Sequence, residues 1–485
     1  MPTRNATKYI HESPNLIKEK PISGNMAKLI STNPAKNYEV VGEVTISTPQ
    51  EIQKKVQQAN QVKKAWKELG VKKRAELLGP ICEEFKQRKD EIARLIVQET
   101  GKTIRNARLE VAGYCEEFEW FMQNAPNALA ETITFQDKSS IHKITYEPHG
   151  VAAVISPWNF PFGMAIWGII PNLLAGNTVV FKISEECPLL GKLIEEVFNS
   201  HNLPQGVFSE IYGAGDIGQA LAESNIDLIW FTGSSKTGKL LYKIAAEKFI
   251  KVILELGGSN PCIIFADVDI NRSAQVVYDN RFYHCGQSCD AIKRLIVHES
   301  IFDRFVEELK SIIETKKISD PFDKEADFAS LVAKRQIDLL EQQVEDAKRK
   351  GAIIHTGGKR PANLKGAYYN PTLLTNITTD MRVWKEEVFG PVLPIVSFKT
   401  EEEAITLAND TMYGLGSRVI SQDIERARRI ASKIEAGTVE INYASRWLLC
   451  NPFGGYKQSG VGCEHGLIGF QELSQIKVIS EKNSR

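Results

Sequence analysis

Val151-Ala152-Ala153-Val154-Ile155, then Thr178-Val179-Val180-Phe181, with helix-compatible residues 163–175 between them, is the stretch on which the fold turns. Each apolar run is short, unbroken and rich in β-branched residues, which suits a strand buried on both faces. The rhythm continues downstream. Residues 191–199 read as helix, 207–212 as strand, 217–223 as helix, 228–231 as strand, 239–247 as helix and 251–254 as strand. Such β-α alternation predicts an α/β fold with a parallel, doubly wound sheet.

A second α/β stretch spans 261–440. Its strands are expected at 262–265, 294–297 and 392–396, and its helices at 301–315, 333–349, 401–409 and 423–435. Upstream of the first sheet, Thr48-Pro49-Gln50-Glu51 is a capping-box sequence with Pro at the first helical position, so a helix is expected over 47–69. Residues 75–98 continue in the same style. Between 130 and 149, two β-prone runs flank Asp137-Lys138-Ser139 and read as a hairpin. No linker of distinct composition and no internal repeat separates these regions.

With 485 residues the chain is too long for one ordinary core, so two or three domains are expected. Sixty Lys and Arg balance 60 Asp and Glu, which removes any electrostatic case for nucleic acid or membrane as partner. The longest apolar stretch, residues 163–181, is interrupted by Pro171, Asn172 and Asn177 and reads as buried core. The polar N-terminus (Asn5, Lys8, His11, Glu12) has no apolar region of the kind a secretion signal needs. Eight scattered cysteines without framework spacing fit free thiols in a reducing, cytoplasmic compartment. No Cys/His cluster has zinc spacing, so no metal is expected.

The chemistry lies in two segments. Tyr283-His284-Cys285-Gly286-Gln287-Ser288-Cys289 supplies a thiol, and Glu255-Leu256-Gly257-Gly258 supplies a carboxylate 34 residues earlier. Glycines beside both let a substrate approach the backbone. A thiolate attacking a carbonyl, with an acid/base group nearby, is the logic of covalent acyl-enzyme chemistry.

Two glycine motifs compete for a dinucleotide. Gly213-Ala214-Gly215-Asp216-Ile217-Gly218 matches GxGxxG between a strand and a helix. The acidic ribose reader expected about twenty residues on is missing. Phe231-Thr232-Gly233-Ser234-Ser235-Lys236-Thr237-Gly238 also joins strand to helix, and its amides with Ser234 suit a pyrophosphate at a positive helix N-terminus. Lys182 and Glu185, at the end of strand 178–181, supply ribose contacts in place of the missing reader.

These motifs resemble the NAD(P)-dependent aldehyde dehydrogenase superfamily, in family order. They are Pro157-Trp158-Asn159-Phe160-Pro161, Lys182-Ile183-Ser184-Glu185, Phe231-Thr232-Gly233-Ser234, Glu255-Leu256-Gly257-Gly258, Gly286-Gln287-Ser288-Cys289, Glu386-Glu387-Val388-Phe389-Gly390-Pro391 and Pro452-Phe453-Gly454-Gly455-Tyr456-Lys457-Gln458-Ser459-Gly460.

The resemblance implies an NAD-binding domain (1–122 and 146–257), a catalytic domain (258–457) and a small β oligomerisation element (123–145 and 470–485), in a homodimer or homotetramer. It implies Cys289 as nucleophile, an oxyanion site from the Asn159 side chain and the Cys289 amide, and Glu255 as the base that hydrolyses a thioester. Retention of Glu255 favours a free acid over transfer to coenzyme A. The cofactor contacts it implies are Ile155, Pro157, Trp158, Lys182, Ser184, Glu185, Gly215, Phe231, Gly233, Ser234, Thr237, Leu256, Glu387 and Phe389. For Trp158 and Phe389, plain core packing is the other reading. Glu185 favours NAD over NADP.

Three positions depart from the family pattern. Succinic semialdehyde members carry arginines where this chain has Trp167 and Tyr283, leaving Arg281 or Arg446 as substitutes for binding a carboxylate. Asp290 follows the nucleophile where a neutral residue is usual. It either raises the thiol pKa, repels anions and attracts an amine, or turns away to Lys293 or Arg294. Cys463 stands where Arg is common. The expected activity is therefore oxidation of an aldehyde to an acid. A succinic semialdehyde enzyme with a remodelled pocket and a non-catalytic binding protein are the alternatives.

Overall fold

The computed structural model describes residues 27–445 and 447–483. The polar N-terminal segment and Arg446 lie outside these residues.

The first sheet is six-stranded. From one edge its order is Gly460–Val461, Lys251–Glu255, Leu228–Thr232, Val151–Ile155, Thr178–Lys182, Phe208–Glu210. All neighbours are parallel except the first pair, where Gly460 stands opposite Glu255. The chain thus winds outward from Val151–Ile155 in both directions, and the order reverses between that strand and Leu228–Thr232. Parallel pairing needs crossovers, and helices Pro161–Ala175, Pro188–Asn199, Gly215–Glu223 and Ser235–Lys248 provide them. All fifteen residues of Pro161–Ala175 are buried, so this apolar stretch is core. Asn172 in this helix and Asn177 just after it are satisfied inside. Asn172 Nδ2 donates to the Gly168 carbonyl at 2.8 Å, and Asn177 Nδ2 donates to Asn172 Oδ1 and the Leu473 carbonyl, both at 3.0 Å.

The second sheet is seven-stranded, in the order Ile353–Thr356, Thr372–Thr375, Val392–Phe398, Ile292–His298, Asn260–Ile264, Gly416–Ile420, Thr438–Ile441. It is parallel except at the outermost Ile353–Thr356. A third sheet joins hairpin Thr132–Gln136 and Ser140–Pro148 to the C-terminal strand Ser474–Lys482, all antiparallel. Asp137 makes the hairpin turn, its Oδ1 accepting from the amides of Ser139 at 2.7 Å and Ser140 at 2.8 Å.

Several elements differ from the sequence reading. Residues 75–98 are two helices, Gly70–Gln87 and Lys89–Thr100, parted at Arg88. The 25-residue helix Ile104–Ala128 was not anticipated; its charged residues and Pro126 mask an apolar face that includes Val111, Phe118 and Phe121. Strands Gly416–Ile420 and Thr438–Ile441 were also missed, the first because Ser417 and Arg418 interrupt its apolar run. Among the described residues no helix is long and apolar enough to cross a membrane.

Candidate functional site

Parallel strands end with their carbonyl edges and following loops on one side, and a crevice opens where the strand order reverses. Here Ile155, Lys182, Thr232 and Glu255 close four such strands. Together with loops of the second sheet they border a cleft of about 1380 Å³. Every catalytic and cofactor candidate named from the sequence lines this one cleft.

Cys289 reaches it through an unusual turn. Helix Ile270–Phe282 ends, and His284, Cys285 and Gly286 take positive φ of 48°, 54° and 71°. Gly286 is required there, because a Cβ would lie 2.4 Å from the Gly390 carbonyl oxygen. The turn separates the two thiols. Cys285 is buried and donates to the Ala329 carbonyl at 3.5 Å, whereas Cys289 is half-buried on the cleft wall. Asn159 is buried at the cleft surface, and its Nδ2 donates to the Gln287 carbonyl at 3.2 Å. Gln287 is itself held, its Oε1 accepting from the Val332 amide at 3.0 Å.

Glu255 is buried, and neither carboxylate oxygen has a hydrogen-bond partner among the described residues. Burial first, and then the Glu464 carboxylate, hold its pKa well above the usual range. Desolvation likewise pushes the Cys289 thiol up, and Asp290 adds to the effect while Lys293 opposes it.

At the other end, Lys182 is buried, with Nζ donating to the Ile183 carbonyl at 2.9 Å and lying 4.0 Å from Glu185. Burial lowers its pKa. Ser234 caps helix Ser235–Lys248, its Oγ accepting from the Thr237 amide at 3.3 Å. The competing motif ends at the same cleft: Gly215 opens helix Gly215–Glu223, and a Cβ there would meet only open space. Glu387 pairs with the buried Lys293 and accepts from the Gly258 amide at 3.1 Å. Phe389 meets Trp158 edge to face at 5.4 Å. Those two rings both pack together and line the cleft.

Aromatic side chains crowd the space beyond Cys289. Trp167 meets Tyr114, Trp447 and Phe453 at centroid distances of 5.9, 5.8 and 6.0 Å. Trp447 Nε1 donates to Asp290 Oδ2 at 3.0 Å.

The sequence profile of the aldehyde dehydrogenase family matches residues 22–479. Aminoaldehyde dehydrogenase 1, peroxisomal, of Pisum sativum is 38% identical over 465 residues, 92% of this chain and 91% of that protein. Betaine aldehyde dehydrogenase of Bacillus subtilis is 38% identical over 417 residues, 85% of each chain. The chain belongs to the aldehyde dehydrogenase family. Among solved structures, betaine aldehyde dehydrogenase of Staphylococcus aureus in complex with NAD+ matches with a TM-score of 0.89 at 35% identity, over 94% of this chain and 91% of that one.

In this aldehyde dehydrogenase the departures can now be read in space. Trp167 and Tyr283, at the two arginine positions, both line the cleft. Arg281 does not replace them. It is buried, and its guanidinium donates to the carbonyls of Val388, Gly390 and Val392. Asp290 does not turn away to Lys293 or Arg294. Lys293 pairs with Glu387, and Arg294 donates to the carbonyls of Ser259, Leu407 and Ala408. Asp290 instead lines the cleft and accepts from Ser288 and Trp447. Cys463 lies beside Gly454, outside the cleft lining.

Sequence reasoning missed Tyr114, Trp447 and Phe453 as one group. They come from distant segments, and only the fold assembles them. Among the described residues no group of His, Cys, Asp and Glu could hold a metal ion.

Proposed function

We propose that this aldehyde dehydrogenase oxidises an aldehyde bearing an ammonium group to its carboxylic acid, with NAD as hydride acceptor. The observation that carries the reading is Asp290, next to Cys289, facing a cleft walled by Tyr114, Trp167, Trp447 and Phe453. A cation over aromatic faces gains about 0.5–2 kcal/mol, and a nearby carboxylate adds to it. Glu117, which pairs with His465, and Asp290 both bring carboxylates to the same cleft, and Arg281 is engaged elsewhere. That weighs against a succinic semialdehyde substrate. The betaine aldehyde and aminoaldehyde dehydrogenases among its relatives support the cationic class.

In this reading the Cys289 thiolate attacks the aldehyde carbon, forming a C–S bond. The oxyanion receives the second N–H of the Asn159 amide and the Cys289 backbone amide. A bound NAD would supply the hydride acceptor for that carbon, and Cys289 would then carry the acyl group as a thioester. Glu255 removes a proton from water as the water attacks the thioester carbon. Glu255 accepts that proton as the carboxylate, and its two buried oxygens have no hydrogen-bond partner among the described residues that would compete with the water. The C–S bond breaks, the acid departs, the Cys289 thiolate is restored as the leaving group, and Glu255 gives up its proton to solvent.

The residues present suit a dinucleotide. Glu185 and Lys182 would hold the adenosine ribose, with Ser184, Ile155 and Pro157 beside them. Gly215, Phe231, Gly233, Ser234 and Thr237 would surround the pyrophosphate and the helix N-terminus. Leu256, Glu387, Phe389 and Trp158 would border the nicotinamide half. The open space at Gly215 is a place that a side chain would fill and a phosphate would need. The proposal extends to the three-part division 1–122 with 146–257, 258–457, and 123–145 with 470–485. It also extends to a cytoplasmic homodimer or homotetramer, in which the exposed Ile133, Phe135, Ile476 and Val478 of the third sheet meet a second copy.

The test is NADH formation with a panel of cationic, neutral and anionic aldehydes. Cationic aldehydes should give the highest kcat/KM. A preference for succinic semialdehyde would reject the substrate class, and no turnover with any aldehyde would favour a binding role.

A further inference from the structure

Lys102 lies in the short turn Gly101-Lys102-Thr103, between helices Lys89–Thr100 and Ile104–Ala128. Its side chain is completely buried. Nζ pairs with Glu110, donates to the Asn159 backbone carbonyl at 2.9 Å and sits 4.1 Å from the centroid of the Phe160 ring. Glu110, on the second helix, is also completely buried, and its other oxygen accepts from the Phe162 amide at 3.1 Å and the Gly163 amide at 3.2 Å. These are first-turn amides of Pro161–Ala175, which would otherwise lack partners. One ion pair therefore grips the chain at Asn159 and directly after it, at Phe160, Phe162 and Gly163.

A buried ion pair is poor evidence for a stabilising role. Desolvating two charges costs several kcal/mol, and an apolar pair of similar size often does as well. The aim of this pair is informative. Lys102 spends a donor on the main chain of Asn159, and Gln287 takes one N–H of the Asn159 side chain. Backbone and side chain are held by separate anchors, which leaves the second N–H with a defined direction. A donor useful to an oxyanion must be set in place before charge develops.

We infer that Lys102, held by Glu110, is a positioning residue for the Asn159 amide and acts on the rate of thiol addition through it. The inference rests on the proposed oxyanion role of Asn159.

The test is a double-mutant cycle on the full-length enzyme. One arm carries Lys102→Met with Glu110→Gln, so that no charge is left unpaired and the amide acceptor for Phe162 and Gly163 is kept. The other arm carries Asn159→Ala, and a third enzyme carries all three changes. NAD Kd, aldehyde KM, kcat and the rate of the NADH burst are measured for each. Removing an oxyanion donor costs about 10²–10³ in kcat, so the Lys102/Glu110 arm should lower the burst rate and kcat about ten- to a hundredfold. NAD Kd and aldehyde KM should stay within about threefold, as an interaction made only in the transition state requires. In the Asn159→Ala background the same changes should cost less than about twofold, because coupled residues are non-additive.

Equal fold-losses in both backgrounds, or no loss in the first, would overturn the inference while leaving the Asn159 assignment intact. An undiminished Asn159→Ala enzyme would remove the oxyanion reading, and this inference with it. Should the paired variant fail to fold, Glu110→Gln alone enters the same cycle and must show the same non-additivity.

Discussion

Asn260 Nδ2 donates to the carbonyl of Cys289 at 2.8 Å and to that of Ala291 at 2.9 Å. Asn260 begins strand Asn260–Ile264, just after the Glu255-Leu256-Gly257-Gly258 loop. One amide therefore fixes the main chain around the thiol against the loop that carries the carboxylate. The approach is close enough that a Cβ on Gly258 would lie 2.9 Å from the Cys289 carbonyl oxygen. The main chain is pinned while the thiol faces the cleft, the arrangement a nucleophile needs.

Cys289→Ala is expected to abolish aldehyde oxidation and leave NAD binding within about twofold, since the cofactor candidates lie mostly on the other sheet. Cys285→Ala should keep most activity, because the Cys285 thiol is directed to the Ala329 carbonyl. Steady-state NADH formation and NAD titration of both variants check this. The reverse pattern would assign the chemistry to Cys285.

Glu255 gives a prediction about pH. Burial and Glu464 raise its pKa, so the carboxyl stays protonated further up the pH scale than an ordinary glutamate and becomes a base only as pH rises through the raised value. Turnover limited by thioester hydrolysis should therefore increase with pH, with that limb well above the normal carboxylate range. Glu464→Gln removes a like charge and should move the limb to lower pH. Glu255→Gln should leave an NADH burst followed by turnover slowed about 10²–10⁴-fold, the usual scale for losing a general base. A wild-type steady rate in Glu255→Gln would mean that another group activates the water.

Strands Val151–Ile155, Thr178–Lys182, Leu228–Thr232 and Lys251–Glu255 were legible because they are covered on both faces, so their apolar runs carry no polar interruption. Cys289, Glu255 and Asn159 were legible because each sits in a short local motif. The helix Ile104–Ala128 was not, although it supplies Glu110 and Tyr114 to the cleft. Its polar groups mark one face as solvated, while Glu110 and Glu117 on its other face are buried. The orientation of Asp290 was equally hidden. Lys293 and Arg294 were sensible partners by sequence distance, yet both belong to strand Ile292–His298 and point to Glu387 and to carbonyls of the neighbouring segments. Trp447, far away in sequence, reaches Asp290 instead.

That contact motivates a prediction on substrate charge. Asp290→Asn removes the carboxylate next to the thiol while an amide oxygen can still accept from Trp447. Losing one charge at several ångströms in a partly screened cleft should cost a cationic aldehyde about 1–2 kcal/mol, or roughly five- to thirtyfold in kcat/KM. Neutral aldehydes should be affected less. They should even gain at low pH, because Asp290 raises the Cys289 pKa and its removal lets the thiolate form earlier. Equal changes for cationic and neutral aldehydes would separate Asp290 from substrate recognition.

Cofactor choice should follow Glu185. Lys182 Nζ is buried and already donates to the Ile183 carbonyl, so it is poorly free to meet a 2′-phosphate. Arg335, another cation on the cleft, donates to Glu186 at 3.0 Å. Glu185 is the more exposed partner of the Lys182 pair, with 35% of its side chain accessible. A carboxylate there accepts from both ribose hydroxyls and repels a phosphate carrying nearly two charges. Partly screened, that repulsion is worth on the order of 1–3 kcal/mol. NAD should therefore be preferred by roughly five- to a hundredfold in kcat/KM, at about 1.4 kcal/mol per tenfold. Glu185→Ser should shift the ratio toward NADP by removing the repulsion, and Arg335→Gln should leave NAD use nearly unchanged. Measuring both nucleotides at two ionic strengths adds an independent check, because a screened repulsion must shrink as salt rises. A wild-type enzyme that uses NADP as well as NAD at low salt would show that Glu185 does not face the ribose.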